Sequence, residues 1–146
     1  QLSLGQTEQA IDTYQRAANL YQQAGDQTGL IRSLINQSQA LRGLGLYHRA
    51  LKILNSVNAE LNAQPDSIVK AAGLRSLGNT LLIVGDIEQA QKILQQSLEI
   101  AQKLNAKQDI AETLLSLGNA ARARKNIPAA LTYYEQVETT PSSNTQ

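Results

Sequence analysis

The stretch VGDIEQAQKILQQS, residues 84–97, decides the fold because the chain contains it four times in related form. The other copies lie at multiples of 40 residues and read LGQTEQAIDTYQRA (4–17), LGLYHRALKILNSV (44–57) and RKNIPAALTYYEQV (124–137). Alanine occupies one slot in every copy, at Ala10, Ala50, Ala90 and Ala130. A single register over four copies predicts a repeat fold in which each copy belongs to one structural unit.

The segments between these copies repeat at the same shift and predict another helix in each unit. They read LIRSLINQSQAL (30–41), KAAGLRSLGNTL (70–81) and IAETLLSLGNAA (110–121), with Leu34, Leu74 and Leu114 in register. Their apolar residues recur at the three- and four-residue intervals of a helix, and no segment alternates as a strand would. Helices are predicted at 6–24, 28–43, 46–62, 66–83, 86–104, 108–124 and 127–138.

This pattern predicts an all-α fold, a solenoid of antiparallel helix pairs with about seven helices in one domain, 1–138. Residues 1–25 hold the second helix of a truncated repeat, and full repeats follow at 26–65, 66–105 and 106–138. The polar, proline-bearing residues 139–146 are expected to form a tail or linker. The chain does not begin with Met, so we expect it to be a segment of a longer protein.

Small residues lie where the two helices of a pair would cross. Ser38, Gly78 and Gly118 occupy the first helices, and the repeated alanines occupy the second helices. With LGN at 77–79 and 117–119, the chain resembles the tetratricopeptide repeat over about residues 4–138. The resemblance implies a right-handed superhelix whose first helices line a concave groove.

Two finer resemblances concern the length of the repeat and its amino-acid sequence. The repeat exceeds the family's usual ~34 residues, and it is similar to the longer form of the kinesin-light-chain subset. The high glutamine content and the stretch AAGLRSLGNTL (71–81) are similar to repeat regions of cyanobacterial CHAT-domain proteins. In those proteins a caspase-like peptidase domain lies C-terminal to the repeats.

The composition argues against catalysis by this chain. Cysteine is absent and His48 is the single histidine, which excludes disulfides, thiolate metal sites and cysteine nucleophiles. His48 begins a predicted surface helix in LYHRA, with no carboxylate or thiol partner beside it in sequence. We therefore expect no catalytic residue, no metal and no cofactor, and a function that is not enzymatic.

Charge and hydropathy limit the partners. A net charge of +1 gives too weak a field to favour nucleic acid or an anionic membrane surface. No apolar run approaches the ~20 residues that a membrane-spanning helix needs. The expected partners therefore exclude nucleic acid and membrane, and the expected location is cytoplasmic.

Three stripes at i, i+4 and i+7 are expected to face the groove. Their members are Ile35, Gln39 and Arg42, then Arg75, Asn79 and Leu82, then Leu115, Asn119 and Arg122. The family's peptide-binding asparagine falls at the middle slot, which carries over to Asn79 and Asn119 directly and to Gln39 by chemistry. An amide donates and accepts at once, as a peptide backbone requires. The alternative is that LGN only packs helices and that its asparagine bonds a neighbouring turn.

Arginines are expected to add positive charge to the same side of the first helices. These are Arg32, Arg42, Arg75 and Arg122. Arg75 with Asn79 resembles half of the carboxylate clamp of chaperone-binding members, but Ser116 stands where a second asparagine is needed. Glu112 faces the same region and would oppose an acidic ligand. The remaining alternatives are an anion-tolerant groove and an ordinary solvated face.

The predicted function is a protein- or peptide-interaction scaffold that uses this groove. One alternative is a regulatory or sensor segment of a larger CHAT-type peptidase, and another is a self-association module. Ala10, Tyr14 and Ala17 at one end, and Ile127, Leu131 and Tyr134 at the other, lack a covering helix. We therefore expect a weak homodimer through the terminal helices as a competing state.

Overall fold

The computed structural model describes residues 4–140, which form seven α-helices and no β-strand. The helices are α1 (Leu4–Ala24), α2 (Gln27–Gly43), α3 (Tyr47–Asn62), α4 (Ile68–Ile83), α5 (Ile87–Lys103), α6 (Lys107–Ala123) and α7 (Ile127–Thr139). The prediction of an all-α fold with seven helices is confirmed, and every helix end lies within two residues of its predicted position. Of the tail predicted at 139–146, residues 141–146 lie outside the described part.

The helices form two compact units that divide after Ala63. In unit 1, α2 packs against both α1 and α3. In unit 2, each of the helices α4 to α7 packs against the next one, and α4 also contacts α6. Each unit therefore contains first and second helices of the repeat in alternation.

The helices reverse direction through a left-handed residue at matching repeat positions. After first helices this residue is Gly45, Gly85 or Lys125, with φ of 80°, 93° and 64°. After second helices it is Gly25 or Asn105, with φ of 74° and 54°. Glycine adopts this conformation without steric cost, whereas the side chain of Lys125 crowds its own backbone. The aligned glycines of the sequence therefore mark the helix ends.

Pro65 breaks this pattern in the slot between Gly25 and Asn105. Its ring holds φ near −65°, so it cannot adopt the left-handed conformation. The chain between α3 and α4 is correspondingly longer, and α4 begins after Ser67, whose hydroxyl accepts a hydrogen bond from the Lys70 amide at 3.1 Å. The predicted start at residue 66 was therefore too early, because Ser67 caps this helix.

The residues that precede three other helices differ in how they cap them. Asn126 caps α7 by accepting from the Ala129 amide at 3.2 Å, with Pro128 in the first turn. Asp86 occupies the cap position of α5, but its side chain makes no capping hydrogen bond. Asp26 accepts from the Gly29 amide at 3.0 Å and caps α2.

Glycines on the first helices of unit 2 bring the paired helices into close contact. A Cβ placed on Gly78 would lie 2.6 Å from Leu94 Cγ, and one placed on Gly118 would lie 2.5 Å from Tyr134 Cε1. Leu94 and Tyr134 occupy the same repeat slot on α5 and α7. The predicted role of small residues at the helix crossing is therefore confirmed in both pairs of this unit.

A buried polar link ties α4, α5 and α6 together. The Ser97 hydroxyl donates to the Ala71 carbonyl of α4 at 2.8 Å and lies 3.5 Å from the Thr113 hydroxyl of α6. Thr113 in turn donates to the Asp109 carbonyl at 2.6 Å. Because each hydroxyl has a partner, these polar groups are buried without the cost of an unmade hydrogen bond.

A partly exposed ion-pair cluster joins the start of unit 2 to the end of α5. Asp66 lies 3.1 Å from Lys103 Nζ and 3.5 Å from Lys70 Nζ. The hydrogen bond from Lys103, supported by both positive charges, lowers the pKa of Asp66 below its usual value. The pair therefore stabilises the fold above the ordinary carboxyl pKa, and this contribution is lost as the pH falls through the lowered pKa.

We expect Gly78→Ala to destabilise the chain, by about 1–3 kcal/mol, because the added methyl would overlap Leu94. Gly43→Ala is the matched control, since a Cβ on Gly43 meets nothing within 4 Å. The control should be neutral or stabilising by up to ~0.5 kcal/mol through helix propensity. Chemical denaturation followed by circular dichroism measures both, and equal effects would contradict the packing argument.

The left-handed turn residues give an opposed pair of substitutions. We expect Gly85→Ala to lower the free energy of unfolding by ~1 kcal/mol and Lys125→Gly to raise it by ~0.5 kcal/mol. Both positions end a first helix with positive φ, so only the side chain differs between them. Thermal melting of the two variants beside the parent chain tests this. A lower melting temperature for Lys125→Gly would show that the lysine side chain contributes more than its backbone strain costs.

Candidate functional site

Unit 2 carries four of the seven predicted groove residues, on two helices that contact each other. Arg75 and Asn79 lie one turn apart on α4, and Asn119 and Arg122 lie on α6. Leu115 lies on α6 one turn before Asn119 and is 47% exposed. The helices α4 and α6 that carry these residues are in contact. Leu82 is instead half-buried against the hydrophobic core of unit 2.

Arg75 is held by two carboxylates of the neighbouring first helix. Its Nη1 lies 3.0 Å from Asp109 Oδ1, and its Nη2 lies 3.4 Å from Glu112 Oε2. Only 16% of the Arg75 side chain is exposed, so solvent screens the pair less than it would a surface pair. The charge of Arg75 is therefore balanced within unit 2, and the three groups together carry one net negative charge. This local balance disfavours the carboxylate-clamp alternative at Arg75.

Asn119 has a structural partner on the following helix. Its Oδ1 accepts a hydrogen bond of 2.7 Å from the Tyr134 hydroxyl. The ring of Tyr134 packs on Gly118, so ring and hydroxyl contact successive residues of LGN. This supports the alternative that the asparagine helps to hold helices together. This bond uses the Oδ1 atom of Asn119 as an acceptor, whereas its Nδ2 group is a hydrogen-bond donor.

Asn79 occupies the same repeat slot but has a different neighbour. Leu94 takes the place of Tyr134 and packs on Gly78, and leucine has no hydroxyl to offer an amide. Asn79 is half-buried on the helix that also carries Arg75. Among the predicted amides of unit 2, Asn79 is therefore the better candidate for contact with a ligand.

Unit 1 presents the equivalent slot on α2. Gln39 and Arg32 are exposed there, and Arg42 is half-buried. Ile35, which was expected to face the groove, is buried at 5% exposure. That expectation was wrong because α2 packs against helices on two sides, which buries a wide arc of its surface. Gln37 is buried on the same helix, and its Nε2 donates to Gln15 Oε1 at 3.0 Å.

The described residues offer little for metal or acid–base chemistry. Between residues 4 and 140, no group of three or more histidine, cysteine, aspartate or glutamate side chains could hold a metal ion. His48 is exposed on α3. None of the described helices is both long and apolar enough to cross a membrane.

Sequence reasoning missed the role of Asp109. Glu112 was expected to face the groove, whereas Asp109 carried no predicted role. Asp109 and Glu112 lie about one turn apart on α6, so they share a face of that helix. The packing of successive repeats places α6 beside α4, which carries Arg75. A prediction that placed neighbouring first helices side by side would have paired Arg75 with both Asp109 and Glu112.

Comparison with known proteins agrees with this architecture. The tetratricopeptide repeat family model matches residues 2–57 and 70–140. The crystal structure of BtubC (BKLC) from P. vanneervenii is similar, with a TM-score of 0.78 at 19% sequence identity. The match covers 92% of this chain and 56% of that chain, so this chain spans little more than half its length. None of the curated proteins matches the chain.

At 19% identity the similarity to BtubC concerns the fold alone. The family assignment depends instead on the family model, which extends over most of the sequence. Tetratricopeptide repeats generally serve as protein-interaction scaffolds and are typically non-catalytic. By its repeat register, its helix packing and this match, the chain belongs to the tetratricopeptide repeat family.

Proposed function

We propose that this chain is a non-enzymatic scaffold that binds an extended peptide or protein segment along its first helices. The observation that carries the proposal is Asn79, a half-buried amide beside Arg75 that lacks the tyrosine partner of its counterpart Asn119. An amide at this position can donate to a carbonyl and accept from an N–H of a peptide backbone. By the repeat register, we propose an equivalent contact role for Gln39, Arg32 and Arg42 on α2 of unit 1.

The character of the bound segment follows from the charges in unit 2. Arg75 is occupied by Asp109 and Glu112, so it contributes little free positive charge to an acidic segment. Leu115 is 47% exposed and offers an apolar contact, and Arg122 is exposed further along α6. We therefore expect backbone contacts and an apolar side chain to dominate binding, with Arg122 as an accessory contact.

Two finer aspects of the proposal rest on sequence resemblance. The repeat length of ~40 residues favours the subset of the family with longer repeats. The sequence of residues 71–81 favours a relationship to CHAT-type proteins. In that second candidate function, the chain is a segment of a longer polypeptide and regulates its peptidase domain or recruits proteins to it. A cytoplasmic location and the absence of nucleic-acid and membrane partners belong to the same proposal.

Self-association is a second candidate function with its own observation. Ile127 and Leu131 lie one turn apart on α7 and are 50% and 56% exposed. An apolar pair of this kind favours contact with another surface. Tyr134, which was expected to be uncovered with them, is half-buried because it packs on Gly118. Sedimentation over a concentration series distinguishes a monomer from a homodimer through α7.

A peptide library selection tests the proposed groove. Random peptides are selected on the parent chain, and the affinity of a selected peptide is then measured by fluorescence anisotropy. Asn79→Ala should weaken that peptide by about tenfold, because the amide–backbone hydrogen bonds are worth ~1.4 kcal/mol in total. Asn55→Ala, an exposed asparagine on α3, is the matched control and should leave the affinity unchanged. Equal binding by the Asn79→Ala variant would contradict the groove assignment.

The two asparagines should also differ in their effect on stability. Asn119→Ala removes the acceptor of the Tyr134 hydroxyl and should cost ~1 kcal/mol, whereas Asn79→Ala should change stability by less than ~0.5 kcal/mol. Tyr134→Phe in the Asn119→Ala background should add little, since the pair shares one hydrogen bond. Urea denaturation measures these differences. Additive losses would show that Asn119 and Tyr134 act independently.

A further inference from the structure

Unit 1 contains a cleft of about 240 Å³ that the proposed groove does not use. Its walls come from the C-terminal part of α1, the N-terminal half of α2 and the C-terminal part of α3. On α2 the cleft is lined by Gln27, Leu30 and Leu34 in the N-terminal half, whereas Gln39 and Arg42 of the groove stripe lie in the C-terminal half of that helix. The cleft is therefore a separate feature of unit 1.

The cleft has an apolar floor and a polar rim. Ala18, Ile31 and Val57 form part of its lining and are almost completely buried. Gln22 and Gln27 line it as exposed amides. An apolar base below polar groups suits an amphipathic occupant rather than a wholly apolar one.

Glu60 is the single ionisable residue among those that line the cleft. It lies on α3, and its Oε2 accepts a hydrogen bond of 2.7 Å from Gln27 Nε2 of α2. This bond holds the carboxylate in place at the junction of the two helices. The lining therefore carries one negative charge, which favours a cationic occupant.

The α1 wall is ordered by a relay of amides that starts in the interior. Gln37 is 5% exposed and donates to Gln15 Oε1 at 3.0 Å, and Gln15 Nε2 donates to Asn19 Oδ1 at 3.2 Å. Gln15 and Asn19 both line the cleft. A side chain anchored in this way loses less conformational entropy when an occupant binds.

Comparison with unit 2 shows which residue opens the cleft. Two repeat lengths after Ala18 stands Leu98, which packs in the hydrophobic core of unit 2 with Leu114 and Val137. Leu114 and Val137 correspond to Leu34 and Val57 of the cleft. At the position of Ala18, unit 2 therefore has the larger side chain of Leu98. At the position of Glu60, unit 2 has the uncharged Thr140.

We infer that this cleft binds a lysine or arginine side chain from a partner protein segment. The methylene stem lies on the floor at Ala18, Ile31 and Val57, and the charged head lies against Glu60. The volume of about 240 Å³ is below the ~300–1,000 Å³ of pockets for small molecules, so one side chain is the fitting occupant. The site is independent of the groove proposed in unit 2.

Chemical-shift mapping with a blocked amino acid tests this inference. The probe is Nα-acetyl-lysine N-methylamide, titrated into the isotope-labelled chain, with the norleucine analogue as the uncharged control. The lysine probe should shift the amides around Gln22, Gln27 and Glu60 in a saturable way, with a dissociation constant in the millimolar range. The norleucine analogue should bind at least about fivefold more weakly. Equal affinity for both probes, or shifts spread over other surfaces, would overturn the inference.

Matched substitutions separate the charge from the space. Glu60→Gln should weaken the lysine probe by about fivefold, whereas Glu88→Gln on the exposed surface of α5 should not. Ala18→Leu should abolish binding by filling the cleft, and Ala59→Leu, at an exposed site beside Glu60, should preserve it. Unchanged binding by Glu60→Gln contradicts the proposal even if Ala18→Leu unfolds unit 1. Peptide binding at Asn79 should be unaffected by Glu60→Gln, so this test is distinct from that of the groove.

Discussion

The close approach of paired helices at glycine is the contact on which unit 2 depends. At Gly78 and Gly118 the facing side chain occupies the volume that a Cβ would need. Ala90 and Ala130, at one slot of the opposite helices, are buried almost completely. Small residues on both helices allow dense interior packing, and dense packing sets the position of each helix to within a fraction of a side chain. The hydroxyl contacts of Ser97 and the core around Leu98 form between helices packed in this way.

The side chain that covers each glycine also decides what the adjacent asparagine can do. Tyr134 covers Gly118 and donates to Asn119, whereas Leu94 covers Gly78 and has no polar atom. Two asparagines in the same repeat slot therefore face different neighbours. One contributes to the attachment of α7, and the other is the stronger candidate for ligand recognition. Repetition of a motif need not mean repetition of its role.

Charge is distributed in the same uneven way over a repeated scaffold. Arg75 in unit 2 meets two carboxylates from the next first helix, which leaves that cluster slightly negative. In unit 1, Glu60 contributes a carboxylate to a cleft that exists beside the small side chain of Ala18. Repeat proteins can vary such surface positions with little effect on the fold, because their stability is a sum over neighbouring contacts. Both proposed binding regions arise from departures between one repeat and the next.

The sequence by itself determined the helices, their order and the family, since periodic apolar residues, Gly45 and Gly85, and the recurring alanines are local signals repeated in one register. Spacing placed Asn79 and Asn119 in equivalent stripes of their helices, and the resemblance to the family predicted that this slot binds peptide. Only the tertiary structure decided that Arg75 pairs with Asp109, that Tyr134 holds Asn119 and that Ile35 is buried. Each of these depends on which helices lie side by side and at what distance. Helix periodicity states which way a side chain points along its own helix, but its partners are set by the packing of other helices against it.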